Sequence, residues 1–249
     1  MMEMFFISQF SMNLPPNVIF EDNHVIVVEK PFNILTQSDK TTDLSLFDQV
    51  KQYIKKTYHK PGNVYLGLLH RLDRPVRGII VFAKTSKAAQ RLSEQLRVGE
   101  FTKKYYALCS PNEIYQPAPL NIHWCTLTHY LYKNPQINKS LISNTPKQNY
   151  KQSMLEFRIA DNVPKIESLF CLPKCHNFHN DILVEINLLT GRSHQIRAQL
   201  SHIGLPILGD IKYGATNPLP KKNIALVSYY LSFFHPITKN KMIFTLKNQ

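Results

Sequence analysis

Short apolar runs, several of them alternating with polar residues, recur along this chain of 249 residues. Alternation with a period of two is typical of strands that bury one face, whereas short continuous runs are typical of strands buried on both faces. Residues 18–30 contain two such runs around an Asp22-Asn23 turn and stop at Pro31, so we predict a hairpin there. The other predicted strands are 79–83, 105–109, 181–189, 224–234 and 242–246.

Three segments instead repeat their apolar residues at the spacing of an amphipathic helix. They are 42–60, with an N-cap at Thr42-Asp43, 85–98, closed by Gly99, and 194–202, closed by Gly204. Single helices interrupt hairpin-connected strands here and do not alternate strictly with them. We therefore predict an α+β fold, with a mixed, mainly antiparallel sheet and flanking helices.

Residues 110–180 differ in composition from the rest of the chain, because they are rich in Pro, Asn, Lys and Ser and contain only short apolar stretches. We interpret them as a divergent, insertion-like segment. Within it we expect an exposed loop at 135–150 and candidate edge strands at 154–159 and 168–171.

One cluster in this segment carries zinc-ligand side chains, namely Cys171, Cys175, His176 and His179. All four would have to wrap one ion from a single short loop, so we favour a polar surface loop and predict no metal site. The 8 glycines of the chain include no phosphate-binding spacing, which argues against a nucleotide cofactor.

Composition narrows the class of partner. Lys and Arg number 30 against 17 Asp and Glu, which gives a formal net charge of +13 and a pI of about 9.5. This excess is spread along the chain and favours a folded basic face that binds a polyanion, although a merely basic chain stays an alternative. The apolar runs are far shorter than the ~20 residues that cross a bilayer. The start of the chain does not resemble a secretion signal, so we expect a cytoplasmic protein without a membrane partner. We also expect a monomer.

Two segments carry candidate chemistry. The carboxylate of Asp73 lies among Arg71, Arg74 and Arg77, directly before the predicted strand 79–83. Such a carboxylate is costly to desolvate unless cations pair with it, but the same pattern also fits a structural ion pair.

The second segment is the strand-to-helix turn at 190–202. Its first helical turn would expose backbone N–H groups beside Arg192, Ser193 and Gln195, which favours an anion. Arg192 and Arg197 are five residues apart, so one can meet a phosphate while the other turns inward. For each arginine, a solvated helix charge is the alternative.

A resemblance to a known family connects these segments. The motif His70-Arg71-Leu72-Asp73, followed by Gly78 and by Val-Phe-Ala-Lys-Thr at 81–85, resembles the signature of RluA-type RNA pseudouridine synthases. Further segments resemble the family's other motifs, in family order: Glu29-Lys30-Pro31, 103–107, 190–197, 206–214 and His235-Pro236. The resemblance implies a pseudouridine synthase fold and the isomerisation of uridine in rRNA or tRNA, with no cofactor.

The resemblance also implies roles for single residues. Asp73 corresponds to the family's nucleophile, Tyr105 to its active-site tyrosine and Arg197 to the arginine that pairs with the aspartate. Arg71 corresponds to the residue that helps to displace the target nucleotide from its stack. The remaining expected substrate-binding residues are His70, Arg192, His194, Gln195, Leu226 and Lys30.

The chain also departs from the family pattern. Arg77 stands where the family usually has a small serine, and Leu226-Val227-Ser228 replaces a usual Leu-His-Ala. The bulk and charge of Arg77 leave open a catalytically lapsed relative that binds RNA without isomerising it. We expect residues 1–17 to be an N-terminal extension too short for an accessory RNA-binding module, and 18–249 to be the catalytic domain.

Overall fold

A computed structural model describes residues 15–39, 43–115, 123–160, 166–172 and 180–246. In these ranges the chain forms the following helices and strands: β1 Asn17–Glu21, β2 Val25–Lys30, α1 Leu46–Thr57, β3 Gly67–Leu68, β4 Arg77–Ala83, α2 Ser86–Val98, β5 Thr102–Cys109, β6 Cys125–Asn134, β7 Lys139–Ser143, β8 Lys151–Ile159, α3 Ile166–Phe170, β9 Ile182–Leu188, α4 Gln195–His202, β10 Leu226–Phe234 and β11 Lys241–Thr245. Two short 3₁₀ turns occupy Ile211–Tyr213 and Pro220–Lys222.

All eleven strands belong to one sheet, in the order β1-β2-β4-β10-β5-β9-β8-β6-β7, with β3 paired to β4 and β11 to β10. Every pair is antiparallel except β4 with β10, which is parallel. The predicted α+β class and mainly antiparallel mixed sheet are therefore confirmed.

Helices cover both faces of the sheet around β2 and β4. Ile26 and Val28 pack in one core cluster with Leu46 and Val50 of α1. Their neighbours Val25 and Val27, on the other face, share a second cluster with Ala88 and Leu92 of α2. Burial on both faces explains why 79–83 is a continuous apolar run and not an alternating one.

The helix ends follow local capping signals. In α2, the Thr85 side chain accepts from the Ala88 N–H, and Gly99 closes the helix with φ +82°, as predicted. In α1, the cap is Ser45 in a capping box with Asp48, so the predicted cap at 42–43 is wrong. Residue 42 itself lies outside the described residues.

The structure corrects three predictions within 110–180. The predicted loop at 135–150 contains β7, which pairs with β6 as a hairpin. The predicted edge strand at 154–159 is part of β8, an interior strand between β6 and β9. The predicted strand at 168–171 is the helix α3, which buries Leu169 and Phe170 together. β8 is interior because it also pairs with β9, 25 or more residues further along the chain, and pairing at that separation leaves no local trace in the sequence.

Part of the possible zinc cluster, at 175, 176 and 179, lies outside the described residues. Among the residues that are described, no group of His, Cys, Asp and Glu is arranged to hold a metal ion. Within the same ranges, no helix is both long and apolar enough to cross a membrane.

Candidate active site

The loop between β3 and β4 carries Asp73 and is held by hydrogen bonds to Lys30 and Thr36. The Thr36 hydroxyl donates to the Leu72 carbonyl (2.7 Å) and accepts from the Leu72 N–H (3.2 Å). The Lys30 ammonium donates to the carbonyls of Pro31 (3.0 Å), Ile34 (2.7 Å) and Arg74 (3.0 Å). These bonds tie the loop to the end of β2, so the position of Asp73 depends on the sheet.

One guanidinium joins two carboxylates at the centre of the site. Arg197 Nη1 donates to Asp73 Oδ2 at 3.0 Å, while its Nε and Nη2 donate to Asp210 Oδ2 (2.7 Å) and Oδ1 (2.8 Å). The side chain of Asp210 is 1% exposed and that of Arg197 7%, whereas that of Asp73 is 28% exposed. Asp210 therefore orients Arg197 in a bidentate pair, and Arg197 in turn compensates the charge of the more exposed Asp73.

Burial alone would lower the pKa of Arg197, but hydrogen bonding to Asp210 and the charges of both carboxylates raise it overall. The guanidinium also stacks over the Tyr213 ring, 5.0 Å from its centroid. This cation is therefore permanently charged and is held in one orientation.

His194 lies on the other side of Asp73, at the start of α4. Its Nε2 is 3.8 Å from Asp73 Oδ2 and 3.4 Å from Lys133 Nζ, and its Nδ1 is 2.9 Å from the Tyr213 hydroxyl. Burial lowers the pKa of His194 to about 4, with Asp73 opposing the shift, so the imidazole is neutral at neutral pH. A neutral ring at 3.8 Å leaves Arg197 as the ion-pair partner of Asp73.

Tyr105, on β5, faces the same site and is 5% exposed. Burial raises the pKa of Tyr105 to about 12, with a hydrogen bond from Ser228 opposing the shift and the charge of Asp73 adding to it. Ser228 lies on β10 opposite Tyr105 and beside Gly78 of β4. Gly78 has φ +148°, and a Cβ there would lie 2.5 Å from Ser228, so a larger residue would separate these strands.

A cleft of about 1970 Å³ is lined by Asp73, Tyr105, His194, Arg197 and Asp210. An adjoining recess of about 60 Å³ shares Asp73, Tyr105 and Arg197 with the cleft and is closed by apolar residues that include Leu226. Arg71 and Arg192 line both, and both are exposed. The structure thus brings together Asp73, Tyr105, Arg197, Arg71, Arg192, His194 and Leu226. Arg197, on α4, turns inward, whereas Arg192, in the turn before α4, is exposed, as the five-residue spacing allows.

The side chains of three other predicted site residues form hydrogen bonds within the protein. Lys30 is fully buried and bonded to three carbonyls, as described above. The side chain of Gln195 accepts from the Thr190 hydroxyl (2.8 Å) and the Arg192 N–H (2.9 Å), and donates to the Met154 carbonyl (3.0 Å). Nε2 of His70, which also lines the cleft, accepts from the Val81 N–H at 3.3 Å. The contacts of Gln195 hold the turn at 190–195. The contact of His70 satisfies an N–H of β4 in the stretch between its pairing with β10 and its pairing with β3.

Arg77, the main departure from the family pattern, lies away from the cleft. Its Nε donates to Glu29 Oε1 at 2.5 Å and its Nη1 to the carbonyl of Leu169 on α3 at 3.3 Å. It lines neither the cleft nor the recess.

Sequence reasoning missed four residues that build the site: Asp210, Tyr213, Lys133 and Ser140. Asp210 and Tyr213 lie in the segment 206–214 that carries a family motif, but nothing local to that segment indicates contact with Arg197. Lys133 and Ser140 lie in the segment interpreted as an insertion. Their contribution becomes visible only when β6 and β7 are placed in the sheet.

Comparison with known proteins agrees with this geometry. A family model for RNA pseudouridylate synthase matches residues 24–202. The fold and the site thus define a pseudouridine synthase architecture, and the chain belongs to the RNA pseudouridylate synthase family. This confirms the resemblance to the RluA type.

Two relatives illustrate the similarity. The ribosomal large subunit pseudouridine synthase C of Buchnera aphidicola subsp. Baizongia pistaciae (strain Bp) is 28% identical over 242 residues, which cover 92% of this chain and 65% of the relative. An uncharacterized RNA pseudouridine synthase of Helicobacter pylori (strain ATCC 700392 / 26695) is 30% identical over 244 residues, covering 94% of this chain and 66% of the relative. The chain thus spans just under two thirds of the length of these relatives.

The solved structure of human RNA Pseudouridylate Synthase Domain Containing 4 superimposes with a TM-score of 0.68 at 19% identity, covering 94% of this chain and 88% of that one. This similarity shows the shared fold.

Proposed function

We propose that this chain isomerises uridine to pseudouridine in RNA, with Asp73 as the nucleophile. The observation that carries the proposal is the chain of contacts from Asp210 through Arg197 to Asp73, beside Tyr105 in a cationic cleft. Asp73 is the more exposed end of this chain and lines both the cleft and the recess, where a substrate would lie.

The reaction breaks the N1–C1′ bond of the target uridine and forms a C5–C1′ bond in its place, while C5 loses a proton and N1 gains one. Atoms and electrons balance within one nucleotide, so the reaction requires no redox partner. Asp73 supplies the nucleophilic carboxylate, and Arg197 compensates its charge and directs it. Because the pKa of Tyr105 is about 12, its hydroxyl stays protonated. The ring serves to stack on the base, and the hydroxyl to relay a proton.

The walls of the recess support the same reaction. A uracil detached from its ribose would be lost if water entered, so the site has to exclude water. Leu72, Val76 and Leu226 are each buried and line the recess. Arg71 lines both the recess and the cleft, and it is the residue that would fill the space left by the flipped nucleotide.

The size and charge of the cleft support a macromolecular substrate. Small-molecule pockets usually measure about 300–1,000 Å³, and the cleft here measures about 1970 Å³. The formal charge of +13 favours a polyanion. Relatives named for the ribosomal large subunit make rRNA our first candidate and tRNA the second.

We further expect the enzyme to act as a cytoplasmic monomer without a cofactor. The described strands of the chain form one sheet, which supports a single catalytic domain. The alternative of a lapsed RNA-binding relative loses its main support, because Arg77 contacts Glu29 and Leu169 and not the site.

The experiment compares Asp73→Asn with wild type in a cell that lacks the native protein, by mapping pseudouridine across total RNA. Glu94→Gln, an exposed carboxylate on α2, is the matched control. We expect at least one uridine to be modified by wild type and by the control but not by Asp73→Asn. Identical maps for wild type, Asp73→Asn and no protein would contradict the proposal. The position that disappears also identifies the RNA.

A further inference from the structure

Two lysines from different parts of the chain meet at the tip of the β6–β7 hairpin. Lys133 Nζ donates to the side-chain oxygen of Asn138 at 2.5 Å, and Lys212 Nζ donates to its backbone carbonyl at 3.3 Å. Asn138 has φ +47°, the left-handed conformation that Asn tolerates better than most residues. One turn residue therefore brings two ammonium groups together.

The hairpin that carries Lys133 is fixed against the active site. The Ser140 hydroxyl donates to the Ser193 carbonyl at 2.5 Å, and the Ser140 N–H donates to the Tyr213 hydroxyl at 2.7 Å. The first contact reaches the turn that precedes His194, and the second reaches the tyrosine that contacts both His194 and Arg197. The two lysines are thus held in place before any ligand arrives, which lowers the entropy cost of binding.

Lys133 and Lys212 both line the cleft. Among the ion pairs between residues that the structure describes, neither lysine has a carboxylate within 4.0 Å. Burial lowers the pKa of Lys133, with Asp73 opposing the shift and Lys212, Arg197 and Arg71 adding to it. Partly desolvated cations that repel one another are stabilised when an anion binds between them.

The position of the two lysines relative to Asp73 indicates which anion they would bind. Lys133 Nζ and Asp73 Oδ2 both lie close to one atom, His194 Nε2, at 3.4 Å and 3.8 Å, so the ammonium and the carboxylate are at most about 7 Å apart. A phosphate and the glycosidic bond of the same nucleotide are separated by a comparable distance. Ammonium groups only donate hydrogen bonds, so they match phosphate oxygens and carry no base preference.

We propose that Lys133 and Lys212 form a phosphate-binding site for the RNA backbone next to the nucleotide whose base enters the recess. This inference rests on the proposed function, because it takes RNA as the ligand of the cleft. The pair fixes where the sugar lies relative to Asp73. Lys133 comes from a hairpin that shows no catalytic motif in the sequence, and Lys212 comes from the 3₁₀ turn at Ile211–Tyr213.

Binding of a fluorescein-labelled oligouridylate, measured by anisotropy over a range of salt concentrations, tests the site. For single strands, the slope of log affinity against log salt changes by about 0.7 for each phosphate contact. We expect Lys133→Met and Lys212→Met each to flatten the slope by about that amount and Lys133→Arg to retain it. Lys87→Met, an exposed lysine on α2, is the matched control and should keep the wild-type slope.

Lys212 is exposed on a 3₁₀ turn, so its variant folds even if that of Lys133 does not. Wild-type slopes for both methionine variants would overturn the phosphate site, as would an equal loss in Lys87→Met. Pseudouridine formation by the wild-type protein is measured separately. Its absence would refute the proposed function, while the slopes would still decide whether these lysines bind phosphate.

Discussion

Replacing Asp210 by Asn tests whether the buried end of the carboxylate–guanidinium chain supports the site. Both oxygens of Asp210 accept from Arg197, at 2.7 and 2.8 Å, and its side chain is 1% exposed. Asn keeps the shape but removes the charge and presents an NH₂ group to an N–H donor. Arg197 is then left buried, with only the more exposed Asp73 to compensate it.

Removing one partner of a buried ion pair typically costs about 3–5 kcal/mol, because the remaining charge is desolvated without compensation. The same substitution at Asp43 is the matched control. Asp43 also pairs with an arginine, Arg74, at 2.6 Å, but these side chains are 40% and 46% exposed. An exposed pair contributes about 0–1 kcal/mol. The two variants therefore share their chemistry and differ in burial.

Urea unfolding at neutral pH gives the free energy of unfolding of wild type, Asp210→Asn and Asp43→Asn. In a domain of this size, about 3–5 kcal/mol lowers the melting temperature by roughly 6–20 °C. We also expect the folded Asp210→Asn protein to form pseudouridine more slowly, because Arg197 no longer holds Asp73 in one orientation. If Asp210→Asn were as stable and active as Asp43→Asn, the reasoning that Asp210 supports the nucleophile would be wrong.

Three further substitutions test single features. Arg77→Ser should leave kcat for pseudouridine formation unchanged and lower stability only modestly, since Arg77 contacts Glu29 away from the cleft; a large change in kcat would place it in the site. Burial lowers the pKa of Lys30 to about 7 in the folded protein. Above that pH the unfolded chain binds more protons than the folded protein does. The free energy of unfolding should therefore rise with pH, by up to about 1.4 kcal/mol per pH unit. Urea unfolding between pH 7 and 9 should show this rise in wild type but not in Lys30→Met, and parallel curves would contradict it. Tyr105→Phe should lower kcat about 100-fold or more at unchanged RNA affinity, because the ring is kept and the hydroxyl is lost; unchanged kcat would remove the hydroxyl from the reaction.

Elements whose signals are local could be predicted from the sequence. The helix 85–98 has its N-cap at Thr85 and its left-handed closure at Gly99, and the structure places α2 within one residue of that prediction. The strand 181–189 alternates with period two, and β9 occupies nearly the same residues. In both cases the deciding interactions lie within a few residues of one another.

Elements decided by tertiary pairing could not be predicted. The sequence predicts an edge strand at 154–159, yet β8 is interior because β9, 25 or more residues further along the chain, pairs with its other side. The same limit applies to the site. The sequence indicated that Asp73 needs a cation, and the family motif suggested Arg197, but the contact between Arg197 and Asp210 joins two segments that nothing in their composition connects.

Two sets of cations in the cleft differ in their electrostatics. Arg197 is buried and shared by two carboxylates, so salt screens its interactions little. Arg71, Lys133 and Lys212 line the same cleft without a described carboxylate within ion-pair distance, so their charge is available to a polyanion and is screened by salt. High salt should consequently release RNA while leaving the nucleophile oriented. Binding and chemistry are thus separable in this cleft, because Asp73 and Asp210 compensate Arg197 and no described carboxylate is within ion-pair distance of Arg71, Lys133 or Lys212.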